Sequence, residues 1–191
     1  MIIYAPEPLD AEAEAQLTKA AQTLTIKRVM SAERLMDEVA LYLHWPFSQL
    51  SPAKQQILRT LYENDDVLRG RTALIVDDDI RNIFAMTSVL EQHGMKVLSA
   101  ESGQQAIEQL NLNAHIEMVL MDIMMPDMDG FDTMRAIRRI PRFKSLPIVA
   151  VTAKAMKGDR EKCIEAGAWD YLAKPVDPLQ MVSSCRAWLR R

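Results

Sequence analysis

The stretch MVLMDIMMPDMDGFDTMRAIRR, residues 118–139, decides the fold. Met118–Met121 reads as a strong strand, the next residues form a polar loop that opens at Asp122, and a helix is expected near Phe131–Arg139. Toward the carboxyl end the pattern continues with Ile148–Val151, a continuous apolar run of the kind buried on both faces. A polar helix (Lys157–Ala166), a short strand (Trp169–Leu172) and a closing helix (Pro178–Leu189) follow. Toward the amino end lie a helix near Gln104–Leu110, a strand at Lys96–Ser99 and a helix before it. That helix carries Ile83, Phe84, Met86, Val89 and Leu90 at three- and four-residue spacing, with Gly94 just past its end. Ala73–Val76 is the strand that opens the series. Strict strand–helix alternation, five times over about 120 residues, implies an α/β domain built on a parallel sheet with helices on both faces.

Polar residues cluster where these apolar strands end. Asp77, Asp78 and Asp79 follow the first strand, Asp122 the third, Thr152 the fourth and Lys174 the fifth. In a doubly wound sheet ordered 2-1-3-4-5, strands 1 and 3 are neighbours and ligands bind at their carboxyl ends. That order places Asp77 and Asp78 beside Asp122, flanked by Thr152 and Lys174. Three close carboxylates repel one another and call for a cation. All-oxygen ligation favours Mg2+, with Mn2+ also suitable, over zinc. Lys174 adds a fixed positive charge. Such a site can neutralise phosphoryl oxygens while one carboxylate attacks phosphorus to form an acyl phosphate, with a hydrogen bond from the Thr152 hydroxyl.

Four fragments, LIVDDD (Leu74–Asp79), LMDIMMPDMDG (Leu120–Gly130), VAVTA (Val149–Ala153) and YLAKP (Tyr171–Pro175), resemble the receiver domain of response regulators. Their order and spacing match over residues 72–191. The resemblance implies a flavodoxin-like fold with Asp122 as phosphoacceptor. It also implies that Asp77, Asp78 and Asp122, with the backbone carbonyl of Met124, hold the metal. Thr152 and Lys174 would contact the phosphoryl group, Thr152 and Tyr171 would form the switch, and the Lys174–Pro175 bond would be cis. Met124 and Lys154 lie where the family tunes the lifetime of the aspartyl phosphate. The implied partner is a histidine kinase or a histidine phosphotransfer domain, in two-component phosphorelay signal transduction.

Composition narrows the alternatives. With 49% hydrophobic and 26% charged residues the chain has ordinary globular usage, and a formal net charge of −3 points to neither a nucleic-acid nor a membrane partner. The basic run Arg135, Arg138, Arg139, Arg142 and Lys144 reads as a solvated face near a helix end. Cys163 and Cys185 show no metal spacing and read as small apolar residues in a reducing compartment. No apolar run approaches the roughly 20 residues that span a bilayer, and no signal peptide is evident, so the chain is expected to be cytoplasmic with no direct membrane contact. Asp79 is expected to cap the following helix, and Asp127 and Asp129 to lie in a solvated turn. An EF-hand reading of that turn fails, because its first and twelfth positions are Met125 and Ala136. The methionines read as core, and His44, His93 and His115 as helix-end or loop residues rather than phosphodonors. A magnesium-dependent aspartyl phosphatase or phosphotransferase would need a general acid and a cap insertion, and the sequence offers neither. A transcription factor would need a DNA-binding output module, and none is expected after the closing helix. The chain as it stands is therefore not expected to be a turnover enzyme.

The first 44 residues repeat a strand–helix–strand–helix order: Met1–Ala5, Ala11–Ala20, Leu24–Lys27 and Ala32–Leu43. Ala5 to Lys27 spans 22 positions, as does Thr152 to Lys174. Residues 1–44 thus resemble the carboxyl-terminal half of a degenerate receiver, with Lys27 at the lysine position, Ala5 in place of the hydroxyl residue and Arg28 in place of the proline. Residues 45–71 form a linker with a short helix starting at Ser51-Pro52, and residues 72–191 a complete receiver. This organisation is similar to the tail of a hybrid histidine kinase, and the chain is expected to be part of a larger sensor kinase; a free-standing regulator is the alternative.

Overall fold

The computed structural model describes residues 2–4, 27–29, 35, 39, 51–53, 55, 66–153 and 159–189. The chain divides into two compact units, Met1–Asn64 and Asp65–Arg191.

In the first unit, β1 (Ile2–Tyr4) and β2 (Lys27–Val29) pair in parallel, with Ile2 opposite Lys27 and Tyr4 opposite Val29. Leu35 and Val39, four apart, are helical and half-buried, consistent with one helical face. Pro52, Ala53 and Gln55 are helical, and the Gln55 amide donates to the Ser51 carbonyl at 2.9 Å. Ala5, Ala11–Ala20 and His44 lie outside the described residues. Lys27 opens its strand opposite Ile2, whereas Lys174 follows a strand in which Ala173 pairs with Thr152. Paired positions are 25 apart in sequence for Ile2 and Lys27 and 21 apart for Thr152 and Ala173.

The second unit carries a five-stranded sheet of β3 (Thr72–Val76), β4 (Lys96–Ala100), β5 (Met118–Asp122), β6 (Ile148–Thr152) and β7 (Asp170–Ala173). Its order is β4-β3-β5-β6-β7 and every pairing is parallel, which makes it the doubly wound, flavodoxin-like sheet expected. The three central strands are buried at every position, as continuous apolar runs require, while edge strand β7 alternates. The helices are α1 (Ile80–Gln92), α2 (Gly103–Leu112), α3 (Gly130–Arg139), α4 (Asp159–Ala166) and α5 (Pro178–Leu189). Helix α1 packs with α5, and α2, α3 and α4 pack in series, so both faces of the sheet are covered. Under the latter layer Leu74, Met121, Leu110, Met134, Ile137 and Ile148 form one apolar cluster. Each such side chain stabilises the fold by about 1.5–3 kcal/mol. A 3-10 turn at Asp66–Leu68 buries Leu68 against α5, so this part of the connection is more than polar spacer.

Local signals set the helix ends. Asp79 caps α1 by accepting the Arg81 amide at 2.9 Å, and Asp129 caps α3 by accepting the Asp132 amide at 2.8 Å. Gly94, at φ +76°, follows the α1 cap in the left-handed conformation that favours glycine. Two sequence readings need revision. Ile83, Met86 and Leu90 are buried, but Phe84 is 75% exposed, since a 100° step carries it off their face. Within the basic run, Arg138 is a clamp and not a solvated charge: it donates to the Gly167 carbonyl at 2.9 and 2.6 Å and to the Phe143 carbonyl at 2.7 Å. Cys163 and Cys185 are both buried, and burial raises the Cys185 thiol to about 12.

Candidate functional site

Sheet register assembles the site. Val76 pairs with Met121, so Asp77 and Asp122, the next residues on two adjacent parallel strands, leave the sheet side by side. Asp122 pairs with Val151, which places Thr152 one step further along β6. Thr152 in turn pairs with Ala173, and the Lys174 amide donates to the Thr152 carbonyl at 2.7 Å. The chain diverges from β3 to β4 on one side and reaches β5 on the other. The cluster therefore occupies the switch point of the sheet.

One carboxylate oxygen from each of Asp77, Asp78 and Asp122 lies within 4.8 Å of the other two. Asp77 and Asp122 are buried, while Asp78 is exposed and leaves the cluster open to solvent on its side. Lys174 bridges the buried pair, with Nζ 2.8 Å from Asp77 Oδ2 and 3.0 Å from Asp122 Oδ2. Asp77 Oδ1 accepts from the Asp79 amide and from Asn82 Nδ2, both at 3.0 Å. Asp122 Oδ1 is buried and accepts no hydrogen bond. Burial raises the Asp122 carboxyl; Lys174 opposes that shift and the Asp77 charge adds to it. Burial pulls Lys174 down, but hydrogen bonds to Asp77 and Asp122 more than compensate, and its net shift is upward. The Arg81 guanidinium and amide hold Asp79 down at about 2.

Three carboxylates face one ammonium, and each carboxylate pair repels by roughly 3 kcal/mol or more at an effective dielectric of about 20. A hard divalent cation fits this donor set. All the donors are oxygen, one carboxylate is solvent-facing, and a buried oxygen on Asp122 awaits a partner. No cysteine or histidine belongs to the cluster, which disfavours zinc.

The loop after β5 is held close. The Gly130 amide donates to the Ile123 carbonyl at 3.0 Å, and the Ile123 amide to the Val151 carbonyl at 3.0 Å. A Cβ on residue 130 would stand 2.1 Å from the Asp122 carbonyl oxygen, so only glycine permits this approach. Met124 lies on the loop with its side chain exposed, and Asp127 is exposed at φ 63°. Tyr171 is half-buried in β7 opposite Ala150 and packs against the apolar cluster. The Lys174–Pro175 peptide is cis. Lys154 lies outside the described residues. Sequence reading missed Asn82; the signal was an amide in the first turn of the helix that begins just after the acidic residues.

The doubly wound sheet with an acidic cluster and a lysine at its switch point is of the flavodoxin-like α/β class. Residues 73–186 match the response regulator receiver domain, and the chain belongs to that family. It is 39% identical over 113 residues to the signal transduction histidine-protein kinase BarA of Escherichia coli (strain K12), across 59% of this chain and 12% of that kinase. To the transcriptional regulatory protein CpxR of the same organism it is 37% identical over 118 residues, across 62% of this chain and 49% of CpxR. The chain thus spans less than half the length of these curated relatives. Among solved structures, the receiver domain of sensor histidine kinase PA1611 from Pseudomonas aeruginosa PAO1 is 33% identical with a TM-score of 0.59, covering 64% of this chain and 99% of that one. That structure has a magnesium ion coordinated in its active site cleft. Residues 73–186 thus form a receiver domain of two-component signalling.

Proposed function

We propose that Asp122 accepts a phosphoryl group from a phosphohistidine in a Mg2+-dependent reaction, with Mn2+ able to substitute. The observation that carries this reading is Asp122 itself: one carboxylate oxygen is tied to Lys174 and the other is buried without a partner. In the transfer, Oδ1 of Asp122 attacks phosphorus as the P–N bond to the donor imidazole breaks, and that bond's electron pair returns to the ring nitrogen. Asp77, Asp78 and Asp122, with the Met124 carbonyl, would hold the metal, which when bound supplies charge neutralisation for the phosphoryl oxygens. Lys174 offers its ammonium to the same group, and the Thr152 hydroxyl donates a hydrogen bond to it. Thr152 and Tyr171 then form the switch, shifting the population of the face made by α4, β7 and α5.

The donor is a histidine kinase or a histidine phosphotransfer domain. The similarity to BarA and to the PA1611 receiver supports an origin within a hybrid histidine kinase, acting in the cytoplasm. In that reading residues 1–44 are the second half of a degenerate receiver, 45–71 a linker and 72–191 the acceptor domain. The parallel pairing of β1 with β2 supports it and the register of Lys27 counts against a working lysine there.

Intact-protein mass spectrometry after incubation with acetyl phosphate tests the proposal. A gain of about 80 Da that disappears with chelator or in Asp122→Ala is expected. No gain in magnesium-loaded wild type would overturn it.

A further inference from the structure

We infer that Asn82 is a positioning residue for the acidic pocket: its side-chain amide holds the Asp77 carboxylate in the orientation that binds a divalent cation. The inference rests on the magnesium-dependent reading above. Asp77 is completely buried, so each of its oxygens needs a donor or a cation. Oδ2 faces Lys174 at 2.8 Å. Oδ1 takes one hydrogen bond from the Asp79 amide and one from Asn82 Nδ2, each at 3.0 Å. Both donors come from one short unit, because Asp79 caps α1 and its carbonyl accepts the Asn82 amide at 2.9 Å. The capped first turn of α1 thereby grips the carboxylate from one side while Lys174 grips it from the other.

Residue type matters here. A carboxylate at position 82 would add a further negative charge to the pocket, and a lysine or arginine would compete with the cation for Asp77. A neutral amide orients Asp77 without altering the charge of the site. Without it, Oδ1 keeps a single backbone donor and the carboxylate is free to turn toward Lys174, deepening the ion pair that a metal has to share. Asn82 is also half-buried at the edge of a cleft of about 270 Å³ that it lines with Lys174 and Pro175, so its truncation opens no core cavity.

Calorimetric titration of Mg2+ into wild type, Asn82→Ala and Asn82→Leu tests this, the leucine keeping the shape without the donor. Outer-shell partners of metal ligands typically contribute 10–100-fold in affinity, so the dissociation constant is expected to rise about 10-fold in both variants. The Mg2+ concentration for half-maximal phosphorylation by acetyl phosphate should rise in parallel, with the rate at saturating Mg2+ retained. Variants that melt earlier but bind Mg2+ as wild type does would reduce Asn82 to a stabilising residue and overturn the inference. If wild type itself neither binds Mg2+ nor takes up a phosphoryl group, the site reading fails and takes the inference with it. If wild type does both and the variants match it, the inference alone falls.

Discussion

Lys174 and Asp77, 97 residues apart in sequence, are joined by a 2.8 Å ion pair, and the same ammonium stands 3.0 Å from Asp122. One cation therefore offsets two buried anions. Replacing Lys174 by methionine removes that compensation while keeping the apolar stem. In the absence of metal the variant is expected to lose about 2 kcal/mol, less than the 3–5 kcal/mol of a fully buried pair because solvent reaches the lysine. Asp122→Asn in the Lys174→Met background should recover part of the loss, since it removes one of the two uncompensated charges. Urea unfolding in chelator measures both. Equal stability of wild type and Lys174→Met would mean that the pair is not holding the fold.

His93 caps the carboxyl end of α1, where burial, and secondarily the positive charge of Arg186, lowers its affinity for a proton. The unfolded chain protonates this imidazole more readily than the folded one. Its contribution is therefore full above its ordinary value of 6.5 and is lost as pH falls through the lower folded value. Wild-type stability should fall more steeply than that of His93→Gln as pH drops below 6.5. Urea midpoints between about pH 8 and 5 give the two slopes. Parallel slopes would show that His93 titrates as it does in the unfolded chain.

How much of this was legible in sequence follows from how local each signal is. The buried strands announced themselves as apolar runs, and acidic or hydroxyl residues at their ends marked Asp77, Asp78, Asp122 and Thr152 without coordinates. A parallel sheet of known order did the rest, because register alone brings Asp77 beside Asp122. Asn82 was not legible in the same way, since an amide in a helix's first turn is ordinary until its partner is seen 3.0 Å away. Arg138 was hidden inside a basic run, and only the position of the Gly167 carbonyl distinguishes it from Arg135 or Arg139. Phe84 misled because apolar spacing of three and four admits a neighbour 100° off the buried stripe. Lys27 shows a further limit: spacing alone does not fix strand register, and its pairing with Ile2 was not legible in sequence.

The Arg138 clamp makes a prediction of its own. Its guanidinium satisfies the Gly167 and Phe143 carbonyls, tying α3 to the loop after α4 and to the turn before β6. Arg138→Ala leaves both acceptors without that donor and should cost about 2 kcal/mol. Arg138→Lys should recover little, because an ammonium cannot reproduce the planar fork. Thermal and urea unfolding of the two variants, set beside Arg139→Ala as an exposed control, decide the point. A loss no greater than that control's would return Arg138 to the solvated face.

Gly130 and Gly70 separate two reasons for glycine. At Gly130 a Cβ would meet the Asp122 carbonyl oxygen at 2.1 Å and the Ile123 Cα at 2.7 Å, and both obstacles are backbone. At Gly70 a Cβ meets nothing within 4 Å, but φ is +76°. Gly70→Ala should therefore cost only the conformational penalty, about 1 kcal/mol, and leave the acidic site undisturbed. Gly130→Ala has to push the end of β5 away from α3. Its expected cost is about 2–3 kcal/mol, with amide shifts at Ile123, whose N–H donates to Val151. Because Asp122 moves with that backbone, Mg2+ affinity should fall in Gly130→Ala and hold in Gly70→Ala. Nitrogen–proton correlation spectra and a Mg2+ titration of both variants resolve the two effects, and unchanged Mg2+ affinity in Gly130→Ala would uncouple the loop from the site.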